Sequence, residues 1–258
     1  EGEKVGVIGI NGTGKSTLLR IAAGVEYPDE GKVIGQRNLK VRYLPQNPEF
    51  EPGETALHYV ISMNEEHDEM AGFAMEADAR AMLLRFSIDD FSAPVDTLSG
   101  GQRKRLALAG VLLSDCDLLI LDEPTNHLDS EMAAWLEEYL KNFRGALLMV
   151  THDRYFLDSV TNRIVEIDKG KLYSYNENYL GFLQRKAERE AIELATERKR
   201  QSILRVEIEW MMRGARARST KQKAHIKRYE NLRDEKAPQI GDAGVNFASA
   251  SSRMGRTT

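Results

Sequence analysis

Hydrophobic positions along the first two thirds of the chain alternate between short apolar runs and helical stripes. Lys4–Gly9 reads KVGVIG, an apolar strand closing on glycine; after the turn Asn11–Gly14, Lys15–Ala23 reads as a helix. Gly31–Leu44 is predicted to hold short strands, the last of them VRYL leading into Pro45. Residues 54–91 are predicted mainly helical, because Ala71, Met75, Ala79, Met82 and Phe86 recur at helix-like spacings. Leu98–Leu113 opens with Ser-Gly-Gly and continues as a Leu/Ala-rich helix. Leu118–Leu121 is an unbroken apolar run, the pattern of a strand buried on both faces. A helix at Glu131–Leu140, a strand at Ala146–Val150 and a short helix at Arg154–Val160 follow. Arg163–Ile167 and Lys171–Tyr173, divided by Lys169-Gly170, read as a hairpin. Strands alternating with helices predict an α/β core.

The pattern then changes. From Tyr179 to Met212 only Gly181 interrupts a helical run, Gly214 breaks it, and Ser219–Arg233 is helical again. Two such runs around Arg213-Gly214-Ala215-Arg216-Ala217-Arg218 predict an αα-hairpin with a basic tip. At ~1.5 Å per residue it would be tens of ångströms long. Its few apolar residues suffice for a two-helix seam but not for an independent core. Beyond Pro238 the chain is rich in Gly, Ala and Ser, as in a linker or the start of a strand.

Composition narrows the function classes. With 258 residues, 41% hydrophobic and 29% charged, the chain can bury a globular core. A single cysteine, Cys116, excludes an intrachain disulfide framework and a cysteine-cage zinc site. No apolar run approaches the length of a membrane span, and Glu1-Gly2-Glu3-Lys4 has no apolar leader behind it, so a cytoplasmic setting is expected. The net charge of −4 conceals an asymmetry: residues 1–183 carry 18 Lys+Arg against 30 Asp+Glu, and residues 184–236 carry 16 against 9. The second segment is an electrostatic footprint suited to nucleic acid, although a solvated charged helix has the same composition.

Several motifs carry chemistry. Gly9-Ile10-Asn11-Gly12-Thr13-Gly14-Lys15-Ser16 fits the GxxxxGK[ST] phosphate loop and lies between a predicted strand and a predicted helix. Its glycines let backbone N–H groups converge on phosphates. Lys15 can reach the β/γ-phosphates, the Ser16 hydroxyl can bind Mg2+, and the following helix adds its positive end. The strand Leu118–Leu121 ends on Asp122 and Glu123, whose side chains diverge and can divide their work: Asp122 toward Mg2+, Glu123 toward the attacking water. Ser99 can cap its helix or, with Gly100, Gly101 and Gln102, hold a γ-phosphate across a dimer interface. Gln46 can sense Mg2+ and the lytic water, or be a surface glutamine. His152, at a strand end, can meet a γ-phosphate, or cap and pack. His127 lacks partners at metal-ligand spacing and reads as structural or interfacial.

In order, GINGTGKST, YLPQ, LSGGQ, LLILDEPTNHLD and VTHD resemble the motif set of the ATP-binding cassette proteins over roughly residues 1–175. The resemblance implies an α/β P-loop cassette core with a helical subdomain. It also implies ATP cradled by Gly9, Asn11, Gly12, Thr13, Gly14, Lys15, Ser16 and Thr17, with Mg2+ held by Ser16, Gln46 and Asp122. Glu123 and His152 would act in hydrolysis, Asn126–Asp129 would face a dimer partner, and Ser99–Gln102 would contact the partner's nucleotide. DEPTNHLD and THDRYFL are similar to the ABC-F family, and LSGGQRKR with WMMRGARARSTKQKA resembles its Uup-like branch most. In that family two cassettes share one chain, and the segment after the first is a helical hairpin entering the ribosomal E site toward the P-site tRNA. This implies ribosomal RNA and tRNA as partners, with Arg213, Arg216, Arg218, Lys221 and Lys223 as RNA contacts. Arg185, Lys186, Arg189 and Arg198–Arg200 remain ambiguous between contact and helix surface.

Three departures accompany the resemblance. The family has an adenine-stacking aromatic upstream of the first strand, whereas this sequence starts at Glu1. The family has a second cassette, whereas this sequence stops at Thr258. Only 51 residues separate Gln46 from Leu98, room for a small helical subdomain but little for an inserted arm. The expected organisation is an incomplete cassette over 1–183 with its helical subdomain at about 54–113, a basic hairpin linker over 184–236, and a lead-in to a missing cassette over 237–258. The expected function is that of an ATPase, ATP and water giving ADP and phosphate, whose ATP-closed clamp binds ribosomes in translation or antibiotic resistance. The isolated piece would turn over weakly. A DNA-associated ATPase and a transporter subunit are the alternatives.

Overall fold

A computed structural model describes residues 2–64, 69–212 and 231. Two compact units divide the chain, residues 1–185 and 186–258.

The first unit is built on six strands: β1 (Lys4–Gly9), β2 (Val41–Leu44), β3 (Leu118–Asp122), β4 (Ala146–Val150), β5 (Arg163–Asp168) and β6 (Lys171–Tyr175). They form one sheet in the order β2-β3-β4-β1-β5-β6. All neighbours are parallel except β5 and β6, whose antiparallel hairpin caps one edge. Alternation along β3 and β4 assigns the two faces. Ile120 and Val150 pack with Val7 and with Leu19 of α1 (Lys15–Ala22). Leu119, Leu121, Leu147 and Met149 face the opposite way, into a cluster fed by α4 (Gly100–Leu113), α5 (Ser130–Asn142) and α6 (Arg154–Val160). In α5 the core stripe is Met132, Leu136 and Leu140, spaced one turn apart, and truncating such a buried leucine costs about 2–5 kcal/mol. Helices on both faces explain why the central strands read as continuous apolar runs.

A smaller second core joins α2 (Ala56–Ser62), α3 (Glu69–Arg85) and the beginning of α4 through Ala56, Val60, Ala79, Leu83, Ile88, Val95 and Leu106. Of the predicted stripe, Ala79 and Phe86 are fully buried and Met82 packs at the edge of the main core, while the side chain of Ala71 lies outside the described ones. Thr55 caps α2 by accepting from the His58 N–H.

The strands expected across Gly31–Leu44 form only in part. β2 is present, but Gly31–Lys40 has no strand, and Val33 and Ile34 stand exposed at 57% and 91%. A strand needs a ladder partner: Lys40 accepts from the N–H groups of Asp117 and Leu118 where β2 is about to begin, but Gly31–Leu39 has no ladder partner among the described residues.

A seventh helix, α7 (Tyr179–Met212), matches the predicted run. Within the first unit it begins with Tyr179 and Phe182 packed on each other, Phe182 edge-on to Tyr175, and the Leu180 N–H donating to Asp158. In the second unit, Lys186–Glu190, Arg189–Glu193 and Arg205–Glu209 are i,i+4 ion pairs, and Arg200 meets Glu197 at 2.8 Å. The second predicted helix, Ser219–Arg233, lies outside the described residues apart from Asn231. No helix of the described residues is long and apolar enough to cross a membrane.

Candidate active site

In a parallel sheet the carboxyl ends of neighbouring strands share one edge, and ligands bind in the crevice outside it. Here β3, β4 and β1 are adjacent, with Asp122 opposite Val150 and Val150 opposite Val7. Four predicted segments therefore meet at one edge: Gly9–Thr17 after β1, Gln46 after β2, Asp122-Glu123 at the end of β3, and His152 after β4.

The phosphate loop closes on itself. The Thr13 hydroxyl and N–H both donate to the Ile10 carbonyl, at 2.8 and 3.3 Å. Gly12 and Gly14 take φ of +83° and +93°, the left-handed region that glycine enters freely. Gly9 is needed for a different reason: a Cβ there would sit 2.7 Å from the Ile167 carbonyl oxygen and 2.8 Å from Thr13 Oγ1. Lys15 is buried, and its ammonium donates to the carbonyls of Gly9 and Ile10 at 2.9 and 3.1 Å, across the mouth of the loop. Gly14 is the N-cap of α1 and offers no side chain to cap it, which leaves the first N–H groups of the helix for an anion. Ser16 lies half-buried at this end, and Thr17 Oγ1 accepts from Arg20.

Asp122 and Glu123 are both buried, at 3% and 8% exposure. Oδ2 of Asp122 is buried with no hydrogen-bond partner, an acceptor whose desolvation a cation would offset. Glu123 is held by the His152 N–H at 3.3 Å, and His152 Nε2 lies 3.4 Å from its other oxygen. Burial pushes the Glu123 carboxyl above the usual carboxylate range. His152, through its charge and its backbone N–H, pulls it down, as Lys15 does, while the Asp122 charge raises it further. The His152 ring is 68% exposed, so it faces both this carboxylate and solvent.

Gln46, Arg105, Asp122, Glu123 and Asn126 line one narrow cleft. The structure thus brings Gln46 to the acidic pair, as the motif order implies. Ser99, Gly100, Gly101 and Gln102 lie at the start of α4. There Ser99 accepts from the Gln102 N–H, and Gln102 Oε1 accepts from the Ser99 N–H and hydroxyl. The helix-capping alternative for Ser99 is therefore met in full. His127 packs on Gly101, whose Cβ would stand 3.5 Å from its own, and takes no part in a metal cluster among the described residues.

Sequence reasoning passed over three contributors. Thr125 and Thr151 join hydroxyls at 3.0 Å, tying the loop after β3 to that after β4. Asp129 and Asp153 cap α5 and α6 by accepting from Met132 and from Tyr155 and Phe156. Arg105 donates to the His127 carbonyl at 3.4 Å. The caps had a signal, Asp directly before a helical stripe; the other contacts span 22 residues or more and had none.

The ambiguous basic residues are largely spoken for. Arg185 faces Glu177 at 3.8 Å, and Lys186, Arg189 and Arg200 face glutamates of their own helix. Residues 186–212 hold six Lys+Arg and six Asp+Glu, whereas 213–236 hold nine and three. Arg213, Arg216, Arg218, Lys221 and Lys223 lie outside the described residues.

A cavity of about 630 Å3 also exists at the opposite edge of the sheet, lined among others by Cys116, Trp135, Tyr139 and Phe143. It contains none of the motif residues. Burial raises the Cys116 thiol to about 11, so it is no nucleophile at neutral pH.

Two family models described as ABC transporter match residues 1–126 and 165–247. The chain is 43% identical to the uncharacterized ABC transporter ATP-binding protein YfmR of Bacillus subtilis, covering 99% of this chain and 46% of that protein. It is 36% identical to the energy-dependent translational throttle protein EttA of Escherichia coli K12, covering 98% and 52%. Among solved structures, the archaeal ribosome recycling factor aABCE1, in complex with the ribosomal stalk protein aP1, superposes with a TM-score of 0.53 at 30% identity, over 67% of this chain and 34% of that one. The chain spans about half the length of the curated relatives it matches.

Proposed function

Because the chain belongs to the ABC-F family of ATP-binding cassette ATPases, we propose that it supplies one ATP-binding face of a two-cassette factor that closes on the ribosome with ATP and leaves on hydrolysis. The observation that carries the chemistry is the meeting of Lys15, the unpartnered Oδ2 of Asp122 and the Glu123–His152 pair at one sheet edge. Lys15 exchanges its loop carbonyls for the β/γ-phosphate oxygens. The free N–H groups of the loop and of α1 take the remaining phosphate charge. Glu123 orients a water toward the γ-phosphorus and accepts hydrogen bonding from it, while His152 faces the charge that develops there. The orphaned Oδ2 fits a divalent cation, so Asp122, with Ser16 and Gln46, would hold Mg2+, which supplies charge neutralisation on the phosphates. A second cassette would bring its own counterpart of Ser99–Gln102 to this nucleotide. This chain's Ser99–Gln102 would serve the other one, and the cassette alone turns over weakly.

The ribosomal partner follows from the names of EttA and aABCE1, together with the basic excess concentrated after Met212. Arg213, Arg216, Arg218, Lys221 and Lys223 would meet ribosomal RNA and the P-site tRNA through phosphate contacts. LSGGQRKR and the segment around Arg213 support the Uup-like branch. The same basic excess suits DNA, which makes a DNA-associated ATPase the second reading.

The test is co-sedimentation of the full-length protein carrying Glu123→Gln and the matching change in its second cassette. Ribosome binding is compared with ATP and with ADP at physiological salt. Retention with ATP, lost when Arg213, Arg216 and Arg218 are reversed to Glu, supports the clamp. Absence of retention in either nucleotide despite ATP binding, with duplex DNA bound instead, transfers the assignment to DNA.

A further inference from the structure

We propose that Arg105 and His127 form a latch that fixes the loop Glu123–Asp129 against the start of α4, making both of them positioning residues for Glu123. The proposal rests on the reading of this site as an ATP hydrolase and adds two residues to it.

The loop carries unusual backbone at two points. Glu123 and His127 have φ of +56° and +67°, the left-handed region that few residues with a Cβ occupy; histidine enters it more readily than glutamate, which needs its surroundings to hold it there. Between them the chain folds through short turns, the Asn126 N–H donating to the Glu123 carbonyl and the Leu128 N–H to the Thr125 carbonyl, each at 3.3 Å. At its far end Asp129 is fixed as the cap of α5. At its near end the Glu123 N–H donates to the Val150 carbonyl at 2.8 Å. In between, Thr125 is tied to the Thr151 hydroxyl at 3.0 Å and Leu128 packs at the edge of the main core, so His127 is the position that remains to be held.

Two contacts from one face of α4 hold it. Gly101 and Arg105 are four residues apart and so share that face. Gly101 receives the His127 side chain, a Cβ there standing 3.5, 3.7 and 3.7 Å from its Cβ, Cγ and Nδ1. Arg105 donates to the His127 carbonyl. The Arg105 Nε is buried without a partner, a cost that a guanidinium free to swing into solvent would avoid. The carbonyl contact therefore anchors a side chain kept in place by the fold. Both contacts act on the residue that is in left-handed backbone, four positions from the carboxylate that orients water.

The arrangement makes a path from the beginning of α4 to Glu123. Ser99–Gln102, where the partner cassette's nucleotide would dock, sits on the same first turns as Gly101. A shift of those turns moves His127, and through the turns of the loop it moves the backbone of Glu123.

Steady-state ATPase kinetics on the full-length protein test this, with Arg105→Ala, Arg105→Lys, His127→Gly and the double variant, each checked for folding by thermal melting. Arg105→Ala is expected to lower kcat about tenfold with KM for ATP held within about twofold, the pattern of an interaction that matters in the chemical step. Arg105→Lys, which keeps a donor, restores most of it. In the His127→Gly background, where glycine adopts the left-handed conformation unaided, Arg105→Ala lowers kcat by less than about threefold. Equal losses in the two backgrounds, or a loss carried by KM, overturn the latch. Hydrogen exchange of the Asn126–Asp129 amides provides a readout without turnover. It should quicken in Arg105→Ala and show no such response in the His127→Gly background. Unchanged exchange overturns the latch whether or not the parent hydrolyses ATP, whereas a parent without turnover speaks only against the hydrolase reading.

Discussion

Gly9→Ala and Gly12→Ala add the same methyl group to one loop, yet the structure assigns them different penalties. At Gly9 the new Cβ would meet the Ile167 carbonyl oxygen at 2.7 Å and Thr13 Oγ1 at 2.8 Å. The first is backbone of β5, the strand paired with β1, and cannot swing aside. Overpacking of this kind costs about 1–3 kcal/mol. Taking about 2 kcal/mol for a unit of this size, the melting temperature should fall by roughly 6 °C. At Gly12 nothing lies within 4 Å, and the penalty is only the left-handed φ of +83°, about 1 kcal/mol and roughly 3 °C. Thermal melts without nucleotide read these losses. Melts with ATP at about 100 times its Kd, where the parent gains about 2.7 kcal/mol, read whether the loop still holds phosphate. Gly9→Ala should lose stability and the ATP-induced gain together, because separating the loop from β5 removes the backbone N–H groups from their shared focus. A Gly9→Ala protein melting within about 1 °C of the parent and retaining its ATP gain would show that the close approach to Ile167 does not fix the loop.

Three further outcomes follow from the site and its surroundings. The raised carboxyl of Glu123 means that the folded chain keeps this proton to higher pH than the unfolded one. Its contribution to stability therefore falls as pH rises from about 4.5 through the folded value. Glu123→Gln should abolish hydrolysis and melt higher than the parent, with the gap widening across that window; a gap independent of pH would remove the burial argument. Ser99→Ala deletes the capping box of α4 and should cost about 1 kcal/mol in an unfolding titration, with Ser99→Thr recovering most of it. Filter binding to RNA across a salt series should show the log K slope reduced by about one for each of Arg213, Arg216 and Arg218 replaced by Gln. Arg205→Gln, which removes a cation already facing Glu209, should leave that slope in place.

Much of the fold was legible because the signals were local. The apolar run ending on Asp122-Glu123, the glycine spacing before Lys15 and the unbroken stretch from Tyr179 to Met212 each specify an element within a few residues of themselves. The segment Gly31–Lys40 was not legible in this way. Its apolar pair Val33-Ile34 suits a strand, but a ladder needs a neighbour, and local pattern does not supply one. In the site, residue types announced the phosphate loop and the acidic pair. The left-handed backbone of Glu123 was hidden, since glutamate rarely adopts it, and histidine's greater tolerance of it is too weak a signal to place it at His127. Arg105 was hidden as well: nothing near LSGGQRKR shows that its carbonyl partner comes 22 residues later.

The strand that carries the phosphate loop lies between β4 and β5, with Gly9 opposite Ile167. This strand thus meets its first neighbour, β4, only after about 140 further residues have been synthesised, and its second, β5, after about 160. At some 5–20 residues per second, a ribosome takes on the order of ten seconds or more to deliver them. Until β4 is made, Val5, Val7 and Ile8 lack both of the strands they pair with here, and until β5 is made the loop beyond them lacks the Ile167 backbone it packs on. Nucleotide cannot steer the early stages of folding and can only reward their completion. ATP should therefore leave the refolding rate nearly unchanged and act by slowing unfolding.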